Sequence, residues 1–381
     1  MSKRNLNHLL ATSLFASMPV FADTANVSMY GVANISIDRI DTGTAANGTQ
    51  GTSNFKASSN ASRIGFKGAE EIGGGISTIW QIETLVAPDN SSNSCAAVTA
   101  GATVPACTAN TGIFATRNSY AGLSSKEYGR VLVGRNDTPY KIITRKLDNF
   151  GDTIADNRSL FGTVKSNSAS TSFVTKQPDV ISYSSPNFNG FEASVAYVNL
   201  TETATKATDK KDSATSFAAS YDNGSLYGAL GYETHKLDTV RVGGTEKAWN
   251  AALGYKLDAY SLALAYEKTS DTLQATGADK YGHSALYVTG RFEFGASAVK
   301  VAYTKANDLA SAANTGATHL SLGYDYRMSK RSTLYALYTR LANESSANYS
   351  LGGAAWSSGA TASIGAGSTL SAFSFGVKQV F

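Results

Sequence analysis

Ser62-Arg-Ile-Gly-Phe-Lys-Gly-Ala-Glu-Glu-Ile-Gly-Gly-Gly-Ile-Ser-Thr-Ile-Trp-Gln-Ile-Glu-Thr84 decides the fold. Side chains alternate across a strand, so the stretch reads with period two. Arg63, Gly65, Lys67 and Ala69 share one face, and Ile64, Phe66 and Gly68 the other. After the turn at Gly73–Gly75, Ser77, Gln81 and Glu83 share a face with Ile79, while Thr78, Trp80 and Ile82 take the opposite one. One face of this hairpin is mostly polar or charged and the other mostly apolar. The pattern by itself fits a sheet over a protein core or a sheet facing lipid.

The rest of the chain chooses between them. Similar alternation marks Val27–Arg39, Ala61–Ile72, Ile76–Pro88, Arg117–Ser125, Arg130–Tyr140, Asp179–Phe188, Phe191–Thr201 and Ser213–Asp222. It continues through Ser225–Leu237, Lys247–Leu257, Ala259–Ser270, Tyr281–Phe294, Ala296–Asn307, Thr318–Met328, Arg331–Asn343 and Ser368–Phe381. Most runs reach about ten residues, the length a tilted strand needs to cross a bilayer. Their connections alternate between short and long. The short ones include Gly73–Gly75, Asn189–Gly190 and Asn223–Gly224, rich in residues that tolerate tight hairpins. The long ones fall near 40–60, 89–116, 141–178, 202–212, 238–246, 271–280, 308–317 and 344–367. Short turns at one rim and long loops at the other describe an up-and-down transmembrane barrel. The expectation is all-β: a 16-stranded antiparallel transmembrane β-barrel, residues 23–381, as a single domain.

Residues 1–22 read as a cleaved signal peptide, with Lys3 and Arg4, an apolar stretch from Leu9 to Val20, and Val20-Phe21-Ala22 at the cleavage site. No later run of about 18 apolar residues predicts a membrane helix. Charged residues make up 16%, and the net charge of +4 is too small to point to nucleic acid. Export allows Cys95 and Cys107 to oxidise, so a disulfide closing a small loop is expected there; paired metal ligands are lacking. No cofactor or metal site is expected. The chain carries His8, His235, His283 and His319 without a His-Glu-x-x-His or Gly-x-Ser-x-Gly motif, which sets an enzyme aside. A soluble sandwich or adhesin would not explain the short–long alternation.

The last run alternates Phe373, Phe375, Val377, Gln379 and Phe381 with small or polar residues. In a barrel the last strand closes on the first, with the aromatic at the membrane interface. Phe381 is expected to act in assembly.

Together, Val27-Ser-Met-Tyr-Gly31, Ser62–Gly68, Gly73–Glu83, Arg117-Asn-Ser-Tyr-Ala-Gly-Leu123, Gly129-Arg-Val-Leu-Val-Gly-Arg135, Tyr183-Ser-Ser-Pro-Asn-Phe-Asn-Gly-Phe191 and the terminal Phe resemble the trimeric general-diffusion porins of the Gram-negative outer membrane, in their beta-proteobacterial form. The resemblance implies a homotrimer in outer-membrane lipid and lipopolysaccharide, delivered by the barrel assembly machinery. It implies a water-filled channel for ions and small hydrophilic solutes, with no nucleic-acid partner. A substrate-specific channel for an anion, sugar or small acidic metabolite is the alternative. It also implies a third external loop, residues 141–178, folded into the pore as a constriction. By motif, Asp152 and Asp156 match the family's acidic constriction residues, and Arg63, Lys67, Arg117 and Arg135 its basic wall. Ser182 stands where the family often has a basic residue, and Asp179 replaces Asn. Six such groups facing the lumen would sum to +2 and favour anions, with Arg145, Arg158 and Lys165 as further cations. Met29, Gly31, Ala33, Ile35 and Ile37 are expected on the subunit-facing side of the first strand.

Overall fold

The computed structural model of the chain describes residues 26–86, 88, 115–162, 172–201, 210–352 and 364–381. The expected leader and both cysteines, Cys95 and Cys107, lie outside the described residues, as does Lys165.

The strand segments are β1 (Ser28–Asp41), β2 (Ser53–Ser59), β3 (Arg63–Gly73), β4 (Ile76–Leu85), β5 (Ser119–Ser125), β6 (Gly129–Asn136), β7 (Gln177–Ser184), β8 (Phe191–Asn199) and β9 (Asp212–Asp222). They continue as β10 (Leu226–Leu237), β11 (Thr245–Leu257), β12 (Tyr260–Asp271), β13 (Ser284–Phe294), β14 (Ser297–Ala306), β15 (Ala317–Arg327), β16 (Ser332–Asn343) and β17 (Thr369–Val380). From β3 onward each pairs antiparallel with the next, and β17 pairs with β1 along Val32–Asp41, closing the sheet. The fold is a 16-stranded barrel, because β2 and β3 are two halves of one span. β2 pairs with Ile35–Asp41 of β1 and β3 with Ser28–Val32. Between the halves, Ala61 turns to φ +54. The Asn34 N–H donates to Ser62 Oγ at 2.9 Å, and Ser62 Oγ donates to the Asn34 carbonyl at 3.1 Å, so a side chain repairs the interrupted ladder.

The sequence reading placed residues 53–59 in a connection, and the structure corrects this. Ser53-Asn-Phe-Lys-Ala-Ser-Ser59 offers only one large apolar side chain, Phe55, to the outer face. A second correction concerns Arg130–Tyr140, which was read as one strand. β6 stops at Asn136, and helix α1 (Pro139–Arg145) begins with Pro at its start, where the missing N–H costs nothing. The opening hairpin forms as read. Gly73, Gly74 and Gly75 all take positive φ, between +61° and +96°, which glycine alone adopts without steric penalty.

The outer face carries the apolar set. Leu253, Leu262, Leu264, Val299 and Leu322 are exposed, while Ala252, Ala265, Lys300 and Ser321 on the alternate positions are buried inside. Tyr260, Phe292 and Phe294 stack near the short turns, with centroids 4.7 and 5.5 Å apart. Trp249–Tyr266 and Tyr338–Phe373 pair nearer the long connections. An apolar band edged by aromatics is a lipid-facing surface.

At the seam, the Gly31 N–H donates to the Phe381 carbonyl at 2.9 Å, and the Phe381 N–H returns a bond at 3.1 Å. A Cβ on Gly31 would lie 2.3 Å from the Phe381 ring. Gly31 thus makes room for its own chain's terminal aromatic. The large buried side chains Phe150, Ile154, Leu160 and Phe161 come from the connection between β6 and β7, which packs inside the barrel against Tyr287, Ala302 and Leu337.

Candidate functional site

The connection between β6 and β7 is tied to one wall before it crosses the lumen. α1 lays Tyr140 and Ile143 on the inner side of β9–β11. The Tyr140 N–H donates to Ser216 Oγ at 3.0 Å, and its hydroxyl to Glu267 Oε2 at 2.6 Å. Tyr227 donates to the Ile143 carbonyl at 2.8 Å, and the Gly162 N–H to Glu267 Oε1 at 2.7 Å. Farther along, Tyr287 donates to Asp148 Oδ1 at 2.9 Å and Lys300 to the Asn149 carbonyl at 3.1 Å. Small side chains on the wall (Ala218, Ala229, Ala252) leave the space these groups fill.

The loop tip is organised around Asp156, whose side chain is fully buried. It accepts from Arg145 Nη1 at 3.1 Å, from Arg158 Nε at 2.9 Å and Nη2 at 2.8 Å, and from the Asp152 N–H at 3.0 Å. Burial alone would raise this carboxyl, but Arg145 and Arg158 outweigh it and hold it well below the usual carboxylate range. Asp148 shows the opposite balance. Burial, with Asp156 nearby, pushes it up despite Arg145 at 3.1 Å.

Asp152 then reaches the far wall. Arg63 Nη1 lies 3.0 Å from Asp152 Oδ2, and the Asn34 amide donates to the Asp152 carbonyl at 2.7 Å. Burial would raise Asp152, but Arg63 and Arg145 bring it below its ordinary value. Behind Arg63 stands Glu83. It accepts from Arg117 Nε at 2.6 Å and from Tyr30 at 3.0 Å, with Arg63 Nε at 3.9 Å. Four cations (Arg63, Arg117, Arg145, Arg158) therefore meet four carboxyl groups (Glu83, Asp148, Asp152, Asp156).

The expected residues divide accordingly. Arg63, Arg117, Asp152 and Asp156 meet in this network, although Asp156 is enclosed by the loop rather than facing the lumen. Lys67 lies on the inward face but toward the short-turn rim, its ammonium 5.3 Å from the Tyr30 ring centroid. Arg135 is not brought to the acidic loop. It pairs with Ser119 in the β5–β6 ladder and shares strand parity with Val131 and Val133, both exposed on the outer face. Among the described residues, the groups that meet here sum to zero, not to the anticipated +2. Glu83 was not singled out as a site residue, although the alternation that places Arg63 inside places Glu83 there too.

A family model described as "Gram-negative porin" matches residues 9–346. The chain belongs to the Gram-negative porins. Outer membrane porin protein 32 of Delftia acidovorans is 24% identical over 353 residues, spanning 90% of this chain and 91% of that protein. Among solved structures, the anion-selective porin from Comamonas acidovorans superposes with a TM-score of 0.76 at 22% identity, covering 94% of this chain and 100% of that one. A Vibrio cholerae outer-membrane protein solved in a trimer form reaches 0.59 at 13% identity, covering 94% and 100%. This porin shares its fold and most of its length with these relatives. It is an outer-membrane channel for passive diffusion of ions and small hydrophilic solutes, and its family and fold point away from an enzyme.

Proposed function

We propose that this porin is a general-diffusion channel whose narrowest section is bordered by the Arg63–Asp152 pair, where the loop closes on the wall. The ion pair at 3.0 Å across the lumen carries this reading. A polar neck with facing charges holds a transverse field, which aligns small dipolar solutes and penalises apolar ones that must shed water. Liposome swelling with a graded series of neutral sugars tests the reading. Uptake should fall smoothly with solute size; admission of one solute far outside its size order supports a substrate-specific channel instead.

The working assembly is a homotrimer. Met29 and Ile37 are at least half exposed on the outer face of β1, and Ile35 is exposed beside them, a surface that suits packing on a neighbouring barrel. Unheated detergent extracts should migrate as a species about three times the heated mass; a monomer alone counts against it. Phe381 serves assembly, because its strand must be placed before closure removes the open edge. Deleting it should lower outer-membrane yield while folded barrels keep their heat resistance. Equal yields would reject this role.

A further inference from the structure

We infer that the porin holds a binding site for a small multivalent oxyanion, of the phosphate class, on the short-turn side of its neck; this rests on the channel reading above. A cavity of about 360 Å³ lies directly beneath the loop tip. Asn34, Asn149 and Thr153 bound it on the neck side, and Lys330 and Arg331, in the turn between β15 and β16, bound it below. It could hold about twelve waters at about 30 Å³ each, room for a diphosphate-sized anion with part of its hydration.

The strand registers concentrate cations on this wall. Arg327, Thr333 and Lys378 lie abreast on β15, β16 and β17, with Asn34 of β1 next in the row. Arg291 and Lys300 lie abreast on β13 and β14. The acidic groups here are already committed. Asp325 accepts from Arg291 at 2.7 Å and from Lys300 at 3.0 Å, and Glu293 accepts from Arg291 at 2.9 Å. Asp148 is held by Arg145 and Tyr287.

Arg327, Lys330, Arg331 and Lys378 remain. Among the described residues none of the four lies within ion-pair distance of a carboxylate, and Arg327 donates to the Gly295 carbonyl at 3.2 Å. Four like charges around one recess repel one another. A univalent ion offsets little of that repulsion. An anion with two or more charges and several acceptor oxygens offsets more, and arginine and lysine both suit phosphate oxygens. The recess opens into the lumen, so occupancy would be transient and would obstruct the current.

Single channels of the whole porin in a planar bilayer, in 0.1 M KCl, test the site with inorganic pyrophosphate as the probe. Added on the short-turn side, it should interrupt the current at a concentration about tenfold lower than on the loop side, since the narrow neck, which a hydrated multivalent anion passes slowly, stands between. Combining Lys330→Gln, Arg331→Gln and Lys378→Gln should raise the half-blocking concentration about tenfold, with the open conductance within about twofold of the parent. Lys330→Gln alone, at an exposed turn, should raise it about twofold and stands in if the triple variant does not insert. Block without sidedness, block unchanged by the substitutions, or no block of a conducting channel overturns the site. A preparation that conducts no chloride would instead refute the channel reading.

Discussion

At the proposed neck, each of four arginines lies against a carboxylate; on the β13–β17 wall just below, four of six cations have none among the described residues. The two regions use the same residue types for different ends. In the first, charge fixes geometry. Asp156 holds Arg145 and Arg158, and Asp152 carries the hold across to Arg63, so the loop is pinned at both walls. The summed charge is zero, so the transverse field of the paired groups remains but little net potential is left to sort ions by sign. In the second, paired groups such as Arg291–Asp325 line the wall, while the unpaired cations near the turn are available to solutes. The position of a pore cation is therefore a poor guide to its effect on selectivity; its partners decide.

Removing the centre of the neck should give the largest effect. Asp156→Ala leaves two arginines without their shared counter-charge in a buried site, which costs about 3–5 kcal/mol. The loop tip should leave the lumen, open conductance should rise, and trypsin should cut after Arg145 or Arg158 in detergent-solubilised porin. Unchanged conductance and protease resistance would mean that the hydrogen bonds of Tyr140, Tyr227 and Tyr287 suffice to hold the loop.

A smaller change should convert the first region into something like the second. Glu83→Gln removes the acid shared by Arg63 and Arg117 without removing bulk. One unneutralised charge about 10 Å from an ion path is worth about 0.4 kcal/mol in water, about twofold up for an anion and about twofold down for a cation, so the anion-to-cation permeability ratio should rise by up to about fourfold. The shift should fade at 1 M salt, where the screening length falls to about 3 Å. Reversal potentials in a salt gradient read it directly. Arg135→Gln is the control and should change nothing, because that residue follows the outer-face parity of β6. An equal shift from Arg135→Gln would place its side chain in the lumen.

The barrel was legible because lipid and water impose period two on every span, and because the short–long alternation needs no knowledge of packing. The hairpin from Ser62 to Thr84 carried both signals. What escaped was set by contacts across the barrel. Residues 53–59 lack apolar alternation, so their pairing with β1 showed only once the Ser62–Asn34 repair was visible. Asp137 and Pro139 are residues that strands disfavour, and Pro139 starts a helix whose tyrosine docks on Ser216 and Glu267, a contact that only the fold shows. Asp156 matched a motif, but whether an aspartate faces water or two arginines depends on a fold that local sequence does not give. The β13–β17 cations are spread over 88 residues, from Arg291 to Lys378, and form no motif; only the strand register gathers them.

The smallest expected effect lies at the root of the loop, where the two regimes meet. Asp137 binds both Lys141 and Lys176, the latter at 3.2 Å. Burial would raise Asp137, but the two ammonium groups hold it below the usual carboxylate range. Burial also pushes Lys141 down to about 7, against the pull of Asp137, while Lys176 and Arg158 push the same way. Lys176 is likewise lowered, chiefly by burial. An unfolded lysine keeps its proton to about pH 10.4. Between about 7 and 10 the docked loop therefore binds fewer protons than a released one, so docking gains stability as pH rises through that window. Below about 7 Lys141 is charged, docking is weaker and the lumen carries one more positive charge. Moving from pH 6 to pH 8 should lower the anion-to-cation permeability ratio by less than about twofold, since the group sits behind α1 and its field is partly offset by Asp137. Protease cleavage of the loop should slow over the same interval. Lys141→Gln should flatten both responses, whereas Lys146→Gln, at an exposed lysine paired with Asp222, should leave them intact. Reversal potentials identical at pH 6 and pH 8 in the parent porin would show that Lys141 does not titrate there and that the root of the loop is as fully compensated as its tip.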